Sequence, residues 1–144
     1  MAILSSETLH ATTVSIGGKA VLIEGASGAG KSDLALRLVD RGALLVSDDY
    51  SLVRRVGTSI LATAPTTIAG KIEVRGVGII EMPHAAQAQV ALIVALGAPA
   101  ARLPEPGRAR QILGVDIPLL TLDGHEASAP IKVELFLSRI GAPA

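Results

Sequence analysis

The sequence predicts an α/β fold. Short, strongly apolar runs of strand type alternate with glycine-bearing turns. One amphipathic helical segment follows the run at residues 20–23, and the turn between them reads Gly25-Ala26-Ser27-Gly28-Ala29-Gly30-Lys31-Ser32. That octapeptide is a complete G-x-x-x-x-G-K-[ST] motif, and strand, glycine-rich turn, helix is the order in which such a motif operates.

Gly25, Gly28 and Gly30 let the backbone curl with its N–H groups inward, and a concave run of amides binds a phosphate chain. Lys31 then places its charge beside the β- and γ-phosphates, and the Ser32 hydroxyl ligates Mg²⁺. The helix that begins here adds the positive end of its dipole. Within residues 32–41, Leu34, Leu38 and Arg41 share one face, Ala35 and Val39 widen the apolar stripe, and Gly42 stands as the stop. A flexible glycine turn that carries Lys and Ser by chance is the alternative, and it fits these flanks poorly.

The other elements follow in order. Residues 12–16 and 19–23 flank Gly17-Gly18, a pair that favours a tight β-hairpin. Residues 43–46 form a second buried strand that ends in Ser47-Asp48-Asp49. Residues 51–55 and 59–64 read as two strands joined around Gly57, and Pro65-Thr66-Thr67 breaks the pattern. Residues 70–78 are rich in glycine and charge and read as a loop with room for one helical turn. Ile79-Ile80 is apolar again, and residues 89–96 are a strong strand. Pro99, Pro104, Pro106 and Gly107 mark a long irregular stretch before a strand at 117–122. Residues 129–140 fit two readings. Ile131, Val133, Leu135 and Leu137 alternate as in a strand, whereas Ala129, Val133, Phe136 and Ile140 fit a helix with Ser128 as its N-cap. No internal repeat, low-complexity tract or domain boundary is evident, so residues 1–144 are read as one domain.

Composition narrows the function classes. A chain of 144 residues suffices for one domain with one core. It is 49% hydrophobic yet has one Tyr, one Phe and no Trp, so packing rests on Val, Ile, Leu and Ala. Thirteen basic and thirteen acidic side chains cancel, which argues against nucleic acid as a partner. No apolar run reaches membrane-spanning length, and the N-terminus lacks a charged segment followed by an apolar one. The absence of cysteine excludes disulfides and thiolate metal sites. A soluble, cytoplasmic protein without a membrane partner is the economical reading.

Asp48-Asp49 is the second informative feature. Four apolar residues precede Ser47, so the pair sits where a buried strand emerges. In open α/β sheets ligands bind at the carboxyl ends of strands, and the phosphate loop ends its own strand at the same edge if the two run parallel. Two adjacent carboxylates can divide labour, one orienting a metal and the other accepting a proton from an attacking hydroxyl. A plain strand-ending turn is the alternative; beside a phosphate loop the functional reading is stronger.

The third feature is Lys71-Ile72-Glu73-Val74-Arg75-Gly76-Val77-Gly78-Ile79-Ile80-Glu81. Glu73 would serve as a hard oxygen ligand for Mg²⁺, and Arg75 would neutralise charge on a transferring phosphoryl group. The residues alone fit a surface loop with a solvated ion pair equally well.

Three blocks together resemble the catalytic domain of the HPr kinase/phosphorylase family, bifunctional enzymes that modify a serine of the phosphocarrier protein HPr. They are the phosphate loop with its helix through Arg41-Gly42, Val46-Ser47-Asp48-Asp49, and Ile72-Glu73-Val74-Arg75-Gly76-Val77-Gly78-Ile79-Ile80. The last is similar to the family's own signature and is more specific than the phosphate loop. Similarity covers most of residues 9–122 and weakens beyond.

The resemblance implies an α/β P-loop kinase domain of the HPr kinase / PEP carboxykinase-like type, a mixed sheet with flanking helices. It implies ATP and Mg²⁺, with HPr or a paralogue as partner and a homo-oligomer, a hexamer in the family. It implies a catalytic role for His10, which without the family is a lone surface histidine. Lys31 and Ser32 match the phosphate and Mg²⁺ positions, Asp49 the general base, Asp48 its supporting partner, Glu73 a second Mg²⁺ ligand, and Arg102 a further active-site arginine. Long family members carry an N-terminal domain; only a few residues precede His10 here, so a catalytic domain alone, as in the short proteobacterial form, is expected. Glu81-Met82-Pro83-His84 lacks the Phe-Gly extension of the long forms. Asp123-Gly124-His125-Glu126-Ala127-Ser128-Ala129-Pro130 stands where the family has a basic Pro/Gly/Arg loop linked to dephosphorylation. Kinase activity is therefore expected and phosphorylase activity is left open. A small-molecule kinase and a non-catalytic nucleotide-dependent module are the alternatives. No Arg-rich lid insertion supports the first, and the second has no need of a base such as Asp49.

Overall fold

The computed structural model describes residues 5–97 and 107–141. The chain opens with β1 (Ser6–Leu9) and the hairpin of β2 (Thr12–Ile16) and β3 (Lys19–Glu24). Gly17 and Gly18 have φ of 58° and 86°. Two successive positive φ values suit the twist of a two-residue hairpin, which is why glycine fills both places. Helix α1 (Lys31–Asp40) follows the phosphate loop, then β4 (Leu44–Ser47), and β5 (Ser51–Val56) paired with β6 (Ser59–Thr63). Next come β7 (Lys71–Val74), β8 (Gly78–Glu81), the long β9 (Gln87–Leu96), β10 (Ala109–Ile112), β11 (Val115–Leu122) and α2 (Ala129–Ile140).

Nine of these strands form a mixed sheet in the order β1-β5-β6-β9-β3-β2-β4, with β11 branching off β9 and β10 paired to β11. The direction of four strands decides where a site can form. β3 runs parallel to β9, and β9 parallel to β11. β3 and β4 are each antiparallel to the β2 that separates them, so they run parallel to one another. The condition placed on the acidic pair is met. The carboxyl ends of β3, β4, β9 and β11 share one edge, and the start of β2 lies there too, with Thr12 opposite Ile23 and Thr13 opposite Ser47.

Strand period places alternate residues on opposite faces. Val21 and Ile23 of β3 join one apolar cluster, and Ala20 and Leu22 join the other. Both helices pack on the first face, through Leu34, Ala35 and Leu38 of α1 and Ala129, Val133 and Leu137 of α2. The second cluster is closed by β5, β6, β10 and β11, through Val53, Ile60, Ile112 and Ile117. Burial of each leucine in these clusters is worth roughly 2 kcal/mol. Arg41, on the helix face predicted to be buried, instead lies exposed and pairs with Glu134 of α2, Nη2 to Oε1 at 2.7 Å. The hydrogen bond and then the charge of Glu134 raise the Arg41 pKa above its ordinary value.

Two sequence expectations change, and one open reading is resolved. Residues 70–78, expected as a loop, instead supply most of the β7–β8 hairpin over 71–81, a two-stranded sheet of its own that pairs Glu73 with Ile79. All four residues of β8 are exposed, so no buried face left an alternation in the sequence. β1 and β10 form where no strand was expected, and each has at most one buried residue. Residues 129–140 are a helix: Val133 and Leu137 are buried while Ile131 and Leu135 are exposed, the spacing of a helical face. Pro130 in the first turn suits a helix start and would cost a strand a ladder hydrogen bond. Ser128 occupies the N-cap position but makes no side-chain cap hydrogen bond.

Candidate active site

A cleft of about 430 Å³ opens at the shared strand edge. Its floor is the phosphate loop. Gly30 has φ of 96°, the left-handed region that glycine enters without a Cβ penalty, and it leads directly into α1. Gly25 packs tightly, since a Cβ there would meet the Cβ of Ala29 at 3.0 Å and the backbone oxygen of Leu96 at 3.2 Å. The Lys31 side chain is buried, and its ammonium donates to the carbonyls of Gly25 at 2.8 Å and Ala26 at 3.3 Å. Its charge is thereby held over the loop that would receive an anion. Ser27, Gly28, Gly30, Lys31 and Ser32 all line the cleft.

The two aspartates have opposite surroundings. Asp48 is buried at 7% exposure, and its carboxylate ties elements together. Ser32 Oγ donates to its Oδ1 at 2.6 Å, Thr12 Oγ1 donates to the same oxygen at 3.2 Å, and the Glu73 backbone N–H donates to Oδ2 at 2.9 Å. One carboxylate thus joins α1, β2, β4 and β7. Asp49 is exposed and lines the cleft. Its φ is 68°, a left-handed conformation that costs roughly 1 kcal/mol and that Asp tolerates better than most residues. The Asp49 N–H donates to Thr12 Oγ1 at 3.1 Å, which holds the conformation. His10 Nε2 donates to Asp49 Oδ1 at 2.8 Å, and the imidazole stacks on Tyr50 with ring centroids 4.9 Å apart.

Glu73 and Arg75 reach the cleft from the far side, on β7 and in the turn after it. The two do not form an ion pair with each other, nor does either pair elsewhere among the described residues. The cleft therefore collects His10, Lys31, Ser32, Asp49, Glu73 and Arg75, with Asp48 beneath them. Arg102 lies outside the described residues.

Sequence reading missed Thr12, Tyr50 and His125. Thr12 is fully buried and reads in the sequence as an ordinary strand residue. Tyr50 carried one faint signal, as the only tyrosine of the chain, directly after the acidic pair. His125 lines the cleft from the loop after β11; the sequence marked its segment only as replacing the family's basic loop and gave the histidine itself no role.

The donors suit Mg²⁺ bound with a phosphate chain. No cluster of three or more His, Asp or Glu side chains that could hold a metal occurs among the described residues. Mg²⁺ does not need one, because it keeps several waters and takes one or two protein oxygens plus phosphate oxygens. The Ser32 hydroxyl and the Glu73 carboxylate are hard oxygens on one cleft, with the Asp48 carboxylate bonded to Ser32 beneath them. No helix of the described residues is long and apolar enough to cross a membrane.

Comparison with known proteins places this geometry. A family model described as the HPr serine kinase C-terminal domain matches residues 2–131. The HPr kinase/phosphorylase of Alkaliphilus metalliredigens is 47% identical over 76 residues, 52% of this chain and 25% of that protein. The HPr kinase/phosphorylase of Exiguobacterium sibiricum is 49% identical over 75 residues, 51% of this chain and 24% of that protein. The aligned part of the chain thus spans about a quarter of the length of these curated relatives. The solved structure of the Hpr(Ser) kinase/phosphatase from Coxiella burnetii superposes with a TM-score of 0.82 at 29% identity, covering 93% of this chain and 90% of that one. The α/β fold, with its mixed, curled sheet and helices, is the fold of that enzyme. With the family model covering most of its length, the chain belongs to the HPr serine kinase C-terminal domain family.

Proposed function

We propose that the protein is a kinase that transfers the γ-phosphoryl group of ATP to a serine of HPr or of a paralogue, with residues 1–144 acting as one catalytic domain. The observation that carries this reading is the division between the aspartates: Asp48 is buried and bonded to Ser32, while Asp49 is exposed on the cleft and held by His10. A nucleotide-binding module has no use for the second arrangement.

ATP bound with Mg²⁺ supplies the phosphoryl group and part of the charge neutralisation. The backbone amides of residues 28–32 and the Lys31 ammonium bind the phosphate chain. Ser32 and Glu73 would hold the metal, and Asp48 fixes the Ser32 hydroxyl and the β7 backbone in register with the loop. Asp49 takes the proton of the substrate serine hydroxyl as its oxygen bonds to phosphorus. His10 holds Asp49 Oδ1, which leaves Oδ2 to receive that proton. Arg75, free of an ion pair, neutralises charge on the group in transit. Arg102 is a further active-site arginine by family resemblance.

A cytoplasmic setting and a homo-oligomer, a hexamer by the same resemblance, belong to this reading, and light scattering measures the latter. Incubation of the chain with labelled ATP, Mg²⁺ and the HPr of the same organism tests it. Label on an HPr serine is the expected result. ATP turnover that leaves HPr unlabelled would favour a small-molecule kinase, and binding without turnover a regulatory module. Phosphate release from seryl-phosphorylated HPr measures whether phosphorylase activity accompanies the kinase.

A further inference from the structure

The loop after β11 is fastened to the phosphate loop. Gly124 is buried, and a Cβ there would lie 2.8 Å from the carbonyl oxygen of Ala29 and 2.8 Å from Cδ1 of Leu96. Arg37 of α1 donates to the carbonyl oxygens of Gly124 and Glu126, the latter at 2.8 Å. The His125 backbone N–H donates to Asp123 Oδ1 at 2.9 Å, which closes the turn. Each of these contacts fixes the backbone on either side of His125, and none uses its imidazole.

That imidazole lies against the phosphate loop. A Cβ built on Gly30 would meet His125 Cε1 at 3.3 Å and Nδ1 at 3.5 Å. The ring lines the same cleft as Ser27, Gly28 and Lys31, is exposed, and makes no side-chain hydrogen bond among the described residues. A polar ring held against an anion-binding loop by a rigid turn, with its own hydrogen-bonding capacity unspent, is placed to meet the anion. We propose that His125 is a nucleotide-binding residue that donates a ring hydrogen bond to the phosphate chain of a nucleoside di- or triphosphate in the loop. It stands apart from His10, which is engaged with Asp49. This inference rests on the phosphate loop being a nucleotide site, as proposed above.

Calorimetric titration of the full chain with ADP and with ATP, each with Mg²⁺, tests the assignment. A hydrogen bond to a charged group contributes enough that His125→Ala should weaken both dissociation constants about tenfold. His125→Asn and His125→Gln keep an N–H donor, and at least one of them should recover most of the loss. His125→Phe keeps a flat ring without a donor and should stay weak. Full affinity in His125→Phe with none in the two amides would overturn the proposal in favour of base stacking. Unchanged affinity in His125→Ala would overturn it outright. Lys31→Ala separates the two readings: if it loses nucleotide while His125→Ala does not, only the histidine assignment falls, and if neither loses nucleotide, the nucleotide site itself falls.

Discussion

The Ser32 hydroxyl donates a 2.6 Å hydrogen bond to Oδ1 of Asp48. The two residues are sixteen apart in sequence, one in the first turn of α1 and the other just past the end of β4. This contact joins the phosphate loop to the acidic pair and sets the relation between a nucleotide and the base that would act beside it. The two aspartates have distinct surroundings. Asp48 has both oxygens engaged by protein donors, whereas Asp49 projects into the cleft with one oxygen held by His10.

Lys31→Ala should abolish phosphoryl transfer and weaken nucleotide binding, because it removes the side-chain charge nearest the β- and γ-phosphates. Nucleotide titration and HPr labelling check it. Unchanged affinity and turnover would remove the phosphate loop from the mechanism.

Ser32→Ala and Glu73→Ala should each weaken nucleotide binding in the presence of Mg²⁺ and have little effect when the metal is chelated. Glu73 is exposed, and its link to Asp48 runs through its backbone N–H, so the Glu73 substitution should leave the melting temperature unchanged. Equal losses with and without metal would assign both residues a role other than metal binding.

Thr12→Val should lower turnover with HPr about tenfold or more while the ATP dissociation constant stays near that of the parent. Valine has threonine's shape but cannot bond Asp48 Oδ1 or accept the Asp49 N–H. The left-handed backbone at Asp49 loses its tether, and small displacements of a reacting group are costly. Thr12→Ser should restore most of the rate. Equal loss in both variants would point to packing and not to the hydroxyl.

Gly124→Ala should lower the melting temperature by several degrees, consistent with an overpacking cost of about 1–3 kcal/mol. The added methyl would collide with the Ala29 carbonyl and with Leu96, so nucleotide affinity should fall together with stability. Thermal melts with and without nucleotide measure both. An unchanged melt would mean that the β11–α2 loop is not fastened to the phosphate loop.

The parts of the site legible in sequence are those encoded by neighbours in the chain. The phosphate loop, its strand and its helix are one contiguous block, and Asp48-Asp49 follows four apolar residues, so local pattern sufficed. The β7–β8 hairpin was hidden because glycines and charges dominate it and β8 buries nothing. β10 was hidden by the irregular stretch before it. In α2, alternation and helical spacing coexisted, and the burial of Val133 and Leu137 against the core, with Pro130 in the first turn, separates them. Thr12 and His125 were beyond reach for another reason. Thr12 acts on Asp48 from 36 positions away, and His125 depends on Gly124 being bare enough to touch the Ala29 carbonyl. Contacts of that range are set by strand order, which no local pattern carries.

If Asp49 is the general base, Asp49→Asn isolates that role. Asparagine also tolerates the left-handed backbone, so the change removes charge without adding strain. The measurement is the rate of phosphoryl transfer from ATP to HPr, taken with the ATP dissociation constant, for Asp49→Asn beside Asp48→Asn. Asp49→Asn should lose about a hundredfold or more in turnover with ATP binding nearly intact, and Asp48→Asn should lose less, through positioning of Ser32. Near-parental transfer by Asp49→Asn beside an inactive Asp48→Asn would contradict the assignment and exchange the two roles.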